Sequence, residues 1–244
     1  MSLPFTYQFK LAPTIALAIV FPILMLLGFW QLDRADIKQQ QLDIFNKRSN
    51  QPAMLLTADK VPDKNDVLYQ KFTVQGQYNI KQYFLIDNRV HQQQVGFYVI
   101  SLFNIKNSDK KILVNRGWVK GNRYRADLPA IDTPSEEIAI LGEGYIPTKN
   151  FFAMDNIEID IQKFPHVIQN IDFTAISEAL KLDLYPFILR LDNKDETGFV
   201  RDWKVVTSSP EKSQSYAAQW FTMALVVVLI YLSACFKLNR KKTR

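Results

Sequence analysis

Apolar and polar positions divide this chain into two long apolar blocks around a patterned middle. No charged residue occurs from Leu11 to Leu32 or from Ser213 to Phe236. A helix rises about 1.5 Å per residue, so about 20 apolar residues cross the roughly 30 Å hydrocarbon core of a bilayer. Both blocks are long enough and are predicted to be transmembrane helices, 11–32 and 213–236. Pro13 and Pro22 are tolerable in a membrane span. The first block ends in Gly28-Phe29-Trp30-Gln31, without the small-x-small site of a cleaved leader. Leu32, Ala35, Gln39, Leu42 and Phe45 then continue at helical spacing, which predicts a helical extension over 33–48, stopped by Ser49-Asn50-Gln51-Pro52.

The middle reads differently. Phe72, Val74 and Tyr78 alternate with Thr73, Gln75 and Gln77, a period of two that marks a strand. Further strands are predicted over 83–86, 95–105, 112–119, 137–146, 187–191 and 200–206. The polar stretch Asp87 to Gln94 joins the second to the third. Ile171 to Leu182 is the one helix expected here, with Asp172 as its N-cap. The fold class expected is a membrane protein in which two transmembrane helices flank an α+β domain, 33–212. That domain is mainly antiparallel β, a rolled sheet or small barrel.

Charge settles the expected orientation. Lys237, Arg240, Lys241, Lys242 and Arg244 supply most of the formal +6, which leaves residues 34–236 close to neutral. A near-neutral domain lacks the electrostatic footprint of a nucleic-acid binder. The basic tail, 237–244, instead marks a cytoplasmic end by the positive-inside rule. With two spans, the N-terminal segment 1–10 is cytoplasmic as well, and the β-rich domain lies across the membrane. The single cysteine, Cys235, sits in the second block, so the domain has neither a disulfide nor paired thiolates for copper delivery.

Few residues suggest chemistry. His91 and His166 stand in no metal-ligand spacing, and no nucleophile elbow, phosphate loop or dinucleotide fingerprint occurs. No metal site and no catalytic residue are expected. Arg116 and Trp118, read as neighbours on one face of a strand, can clamp a carboxylate or stack on a ring; they can equally well pack on each other. Arg89, and Arg201 with Trp203, repeat that pairing of arginine and aromatic. At the membrane edges Trp30, Gln31, Arg34, Tyr216, Gln219 and Trp220 suit an interfacial belt, and the two amides suit helix–helix hydrogen bonds.

Several segments, in order, resemble the surfeit locus protein 1 family of cytochrome c oxidase assembly factors. They are Leu27-Gly28-Phe29-Trp30-Gln31 with Arg34 and Lys38; Asn88-Arg89 with Gly96-Phe97-Tyr98-Val99; Leu113 to Val119; Gly198 to Trp203; and Tyr216 to Phe221. The resemblance implies a non-enzymatic role in maturing the haem-bearing core subunit of a haem–copper oxidase. It also implies subunit I as a partner, with haem A synthase a further one, and haem A as a possible cofactor. Where family members often carry a histidine before the second span, this chain has Ser213, so any iron ligand is sought among His91, His166, a methionine such as Met223, or a partner's residue. Arg89, Arg116, Trp118, Arg201 and Trp203 are the expected cofactor contacts. The expected location is the bacterial inner membrane with the domain in the periplasm, since the short N-terminus lacks an Arg- and Ser-rich leader. The rival reading is an envelope scaffold or sensor that binds a protein or a peptidoglycan fragment.

Overall fold

The computed structural model describes residues 5–57, 62–124, 127–147, 159–160 and 163–238. They form two compact units, one of Met1–Asp43 with Val205–Arg244 and one of Ile44–Lys204.

In the first unit, α1 (Leu11–Ser49) and α4 (Pro210–Cys235) are each long and apolar enough to cross a membrane. α1 continues unbroken through the amphipathic extension, past Pro22. α4 begins at Pro210, whose fixed φ and missing N–H suit the first helical position. It stops one residue short of the apolar block: Phe236 opens β9 (Phe236–Leu238), which pairs antiparallel with β1 (Phe5–Tyr7). Ile15, Ile19, Leu26, Leu225, Leu229 and Ile230 are all exposed on the helices, an outward apolar surface of the kind lipid covers. The helices meet through Gly28: a methyl group there would overlap the Phe221 ring, whose edge also meets Phe29 at 5.4 Å between centroids. A polar contact lies further along, where Lys38 Nζ donates to Ser213 Oγ at 2.7 Å and Ser208 Oγ at 2.9 Å.

The second unit is built on one seven-stranded sheet. Its strands are β2 (Met54–Leu55), β3 (Lys71–His91), β4 (Gln94–Ile105), β5 (Lys111–Lys120), β6 (Ile138–Tyr145), β7 (His166–Ile168) and β8 (Leu184–Leu191). The order is β2-β3-β4-β5-β8-β6, with β7 beside β3 and β6 pairing again with β3. The sheet is mixed: its longest ladders are antiparallel, as expected, and three shorter pairings are parallel. β2–β3, β3–β7 and β5–β8 are parallel; β3–β4, β4–β5, β3–β6 and β6–β8 are antiparallel. Hairpin loops force antiparallel neighbours, but the long connection from β5 through β6, β7 and α3 (Phe173–Leu180) lets β8 return in the same direction as β5.

Three apolar clusters line the sheet, the smallest around Leu85, Phe97 and Val99. One centres on Phe72, Val74, Tyr78, Phe103 and Phe187. Another holds Phe84, Ile100, Leu113 and Ile188 under Ile176 of α3. α3 starts where Asp172 Oδ1 accepts from the N–H groups of Thr174 and Ala175, and ends on left-handed Lys181.

Three local readings change. The strands expected over 72–78 and 83–86 are parts of one strand, β3, in which the Asn79 side chain accepts from the backbone N–H groups of Lys81 and Gln82. Asp87 to Gln94 is mostly strand too, and only Gln92 and Gln93, both with positive φ, make the turn. The strand expected over 200–206 is absent: Val200 makes a single bridge to Trp118, and the segment lies as a strap along β5.

Candidate functional site

The site follows from two irregularities in strand register. In the β4–β5 ladder Val99 faces Gly117 while Ile100 faces Asn115, so Arg116 is an extra residue. Gly117 takes φ +117°, a conformation open to glycine, and its amide donates to Asn115 Oδ1 at 3.1 Å. The bulge inverts the alternation. Cross-strand partners share a face, so Trp118, opposite Tyr98, lies with Asn115 and away from Arg116. The expectation that Arg116 and Trp118 share a face is therefore corrected. The second irregularity lies between Ile86 and Arg89 of β3, where Asn88 has φ +58°.

Arg116 goes to the core. It is 2% exposed, and its guanidinium lies 4.8 Å from the ring centroids of both Tyr78 and Phe199. Nε and Nη2 donate to the Thr197 carbonyl, Nη1 to Thr133 Oγ1 and Nη2 to the Asp132 carbonyl. Burial holds its pKa below the ordinary arginine value, and desolvation drives the Tyr78 hydroxyl up to about 12. Arg201 likewise donates to the carbonyls of Asn193 and Asp195. Both arginines tie the 193–198 turn to the sheet, and neither lines the cleft described next.

That cleft forms on the face carrying Trp118. One part, of about 190 Å³, is lined by Arg89, Tyr98, Asn115, Tyr145, Arg190 and Trp203. The other, of about 500 Å³, shares Tyr98, Arg190 and Trp203 and adds His91 and Trp118. Each wall is anchored. Trp203 Nε1 donates to the Leu191 carbonyl at 2.9 Å, and Trp118 Nε1 to the Arg89 carbonyl at 2.8 Å. The Arg190 guanidinium lies over the Tyr145 ring at 3.3 Å and near Trp203 at 5.3 Å, and that of Arg89 lies 5.8 Å from Tyr98. Arg89 also reaches the Gln169 carbonyl at 3.3 Å. The Nε atoms of Arg89 and Arg190 are both buried and meet no acceptor among the described residues.

Arg190, Tyr98 and Tyr145 were not among the site residues expected from sequence. A signal for Arg190 was present, since it interrupts the apolar run Phe187-Ile188-Leu189-Arg190-Leu191, and an arginine inside a buried strand needs partners. Burial lowers its pKa, an effect that Tyr145 and Glu143 oppose. Glu143 is its cross-strand neighbour, and burial raises that carboxyl above its ordinary value against the attraction of Arg190. A raised folded-state pKa gives stability that is complete below the unfolded value of 4.5 and is lost as pH rises through the folded value. Glu143→Gln removes that titration. Urea unfolding of the full chain in detergent is therefore expected to show the variant gaining on the wild type as pH rises above the ordinary glutamate value of 4.5. A wild type that gains on the variant would mean that the Arg190 attraction outweighs burial.

The remaining expected residues are dispersed. His91 lies tilted against the Trp118 ring, 5.2 Å between centroids, beside the larger cavity. His166 Nε2 is engaged by the Asp160 carbonyl at 2.7 Å, between the rings of Phe84 and Phe164. Met223 is exposed on α4, and Ser213 is buried and holds the Lys38 ammonium. Trp30 carries Arg34 over its ring at 5.2 Å; Tyr216 and Gln219 are exposed and Trp220 is half-buried. Of these, Ser213 offers a hydroxyl bonded to an ammonium and His166 is tied to a carbonyl, whereas His91 borders the larger cavity.

Comparison with known proteins places these features in one group. The profile described as SURF1 family matches residues 18–225, which takes in most of α1, the sheet unit and the first part of α4. The chain is 26% identical over 219 residues to a SURF1-like protein of Rickettsia bellii, covering 87% of this chain and 86% of that protein. It is 24% identical over 220 residues to a SURF1-like protein of Rickettsia felis, covering 88% and 92% respectively.

Proposed function

The chain belongs to the SURF1 family, and from that premise we propose that it is a two-pass membrane assembly factor for a haem–copper (cytochrome c) oxidase. It acts on the maturing haem-bearing core subunit by binding rather than by turnover. The observation that carries this reading is the extent of the family match, which runs through both apolar helices and the sheet unit. Supporting it, the cleft presents guanidinium, indole and phenol groups, which hold a ligand or a partner's side chains.

In this proposal the protein sits in a bacterial inner membrane, with the Ile44–Lys204 unit on the periplasmic side and the basic tail in the cytoplasm. Subunit I is the client, and haem A synthase a neighbour. The aromatic and amide positions Trp30, Gln31, Tyr216, Gln219 and Trp220 offer the client a helix surface in lipid. Ser213, bonded to Lys38, provides no iron ligand, so haem A would be held through His91, His166, Met223 or a residue of the client.

Co-purification tests the reading. Affinity-tagged full-length protein, solubilised from respiring membranes, is expected to bring down oxidase subunit I. Recovery of envelope proteins or muropeptides without subunit I would favour the scaffold or sensor instead.

A further inference from the structure

We infer that the smaller part of the cleft, between Arg89 and Arg190, is a binding site for a carboxylate carried on a small flat apolar body. This goes beyond the assembly role and needs no oxidase for its test.

Four observations lead there. First, two guanidinium groups from different strands, β3 and β8, line the same cavity. Second, both carry a buried Nε–H without an acceptor among the described residues. A buried donor left unpaired costs free energy, which an acceptor entering the cleft would recover. Third, the ring contacts of Tyr145 and Tyr98 leave the guanidinium edges, where the N–H groups point, as the route for an anion; a carboxylate matches that edge with two oxygens. Fourth, Trp203 and Tyr98, 5.7 Å apart between centroids, form an aromatic wall beside those donors. The Asn115 side chain, bonded to the Gly117 amide, adds a fixed polar group to the lining.

Size and charge narrow the ligand. About 190 Å³ corresponds to roughly six waters of liquid volume, below the range of drug-sized pockets. The ligand portion held here is therefore small, a single acid group with one ring or its equivalent. Glu143 pairs across the strands with Arg190 alone, so Arg89, on β3, brings a second positive group to the cavity. The chemistry is met by a free small aromatic acid and by the C-terminal carboxylate of a polypeptide ending in an aromatic residue.

The two sources are separated by two arms of one experiment on the purified full-length chain in detergent. Ligand-observed fluorine NMR compares 4-fluorobenzoate with 4-fluorobenzamide, and a short peptide ending in 4-fluorophenylalanine as its acid and as its amide. The acid is expected to bind about ten-fold or more tightly than the amide in at least one arm, and the arm that shows the preference names the source. Arg190→Gln and Arg89→Gln should each abolish the preference, while Lys81→Gln, an exposed charge elsewhere on β3, should leave it intact. Should Arg190→Gln fail to fold, Arg89→Gln and the acid–amide comparison on the wild type decide alone. Equal binding of acid and amide in both arms, or a preference that survives loss of Arg89, would overturn the assignment.

Discussion

Arg116→Ala is expected to destabilise the sheet unit by about 3–5 kcal/mol, enough to lower its melting temperature by on the order of 10 °C. The cost has two sources. Truncation removes the donors bonded to the Thr197 and Asp132 carbonyls and Thr133 Oγ1, in part-buried contacts made by a side chain that is itself 2% exposed. It also empties the space between the Tyr78 and Phe199 rings. Arg116→Met refills much of that space without restoring the donors, so it should recover part of the loss and remain less stable than wild type. Chemical denaturation followed by tryptophan fluorescence measures both. An alanine variant within about 1 kcal/mol of wild type would show that Arg116 is not the clamp described, and would reopen it as a ligand contact.

Gly117→Val is the second large effect, on the order of 3 kcal/mol. The φ of +117° strains any residue with a β-carbon, and a branched one most. An added Cβ would also meet the Val200 carbonyl oxygen at 2.7 Å and Arg201 Cγ at 2.8 Å. Relief comes only by moving the strap, which breaks the bonds from Phe199 N–H to the Arg116 carbonyl and from Trp118 N–H to the Val200 carbonyl, both 2.7 Å. Trp203 follows three residues later on the same strap, so the cleft should open with the fold weakened. Lower unfolding midpoints together with altered tryptophan emission are the expected pair of results. A variant that melts with wild type would contradict the role given to the bulge.

The bulge also explains what could be read from the sequence and what could not. Charge-free runs of membrane length are local, so Leu11–Leu32 and Ser213–Phe236 stood out, as did the period-two pattern of Phe72, Val74 and Tyr78. A single inserted residue leaves no such mark. Arg116 and Trp118 keep their spacing of two in sequence while facing opposite sides of the sheet, and only Gly117 hinted at the break. Parallel pairing is equally silent, because β5 and β8 are joined through more than sixty residues of chain and nothing local names the partner. The expected strand over 200–206 failed for a related reason: Trp203 packs beside Tyr98, and Phe199 just before the segment lies on Arg116, so the chain here is a strap rather than a ladder.

The candidate site shifted accordingly. Of the arginines singled out from sequence, Arg89 lines the cleft, while Arg116 and Arg201 bind main-chain carbonyls. Arg190, hidden in an apolar strand, takes the place that Arg116 was expected to fill. The histidines contribute a ring packed against Trp118 at His91 and a carbonyl-bonded one at His166, and the cleft offers mainly charge and aromatic surface.

Its central claim is the service to oxidase assembly, and the most direct measurement is oxidase content in membranes of a strain lacking this protein. The account predicts a several-fold fall in haem–copper oxidase activity and core-subunit level, with unrelated respiratory complexes unchanged and full recovery on re-expression of the complete chain. Oxidase content and activity equal to those of the parent strain would contradict it.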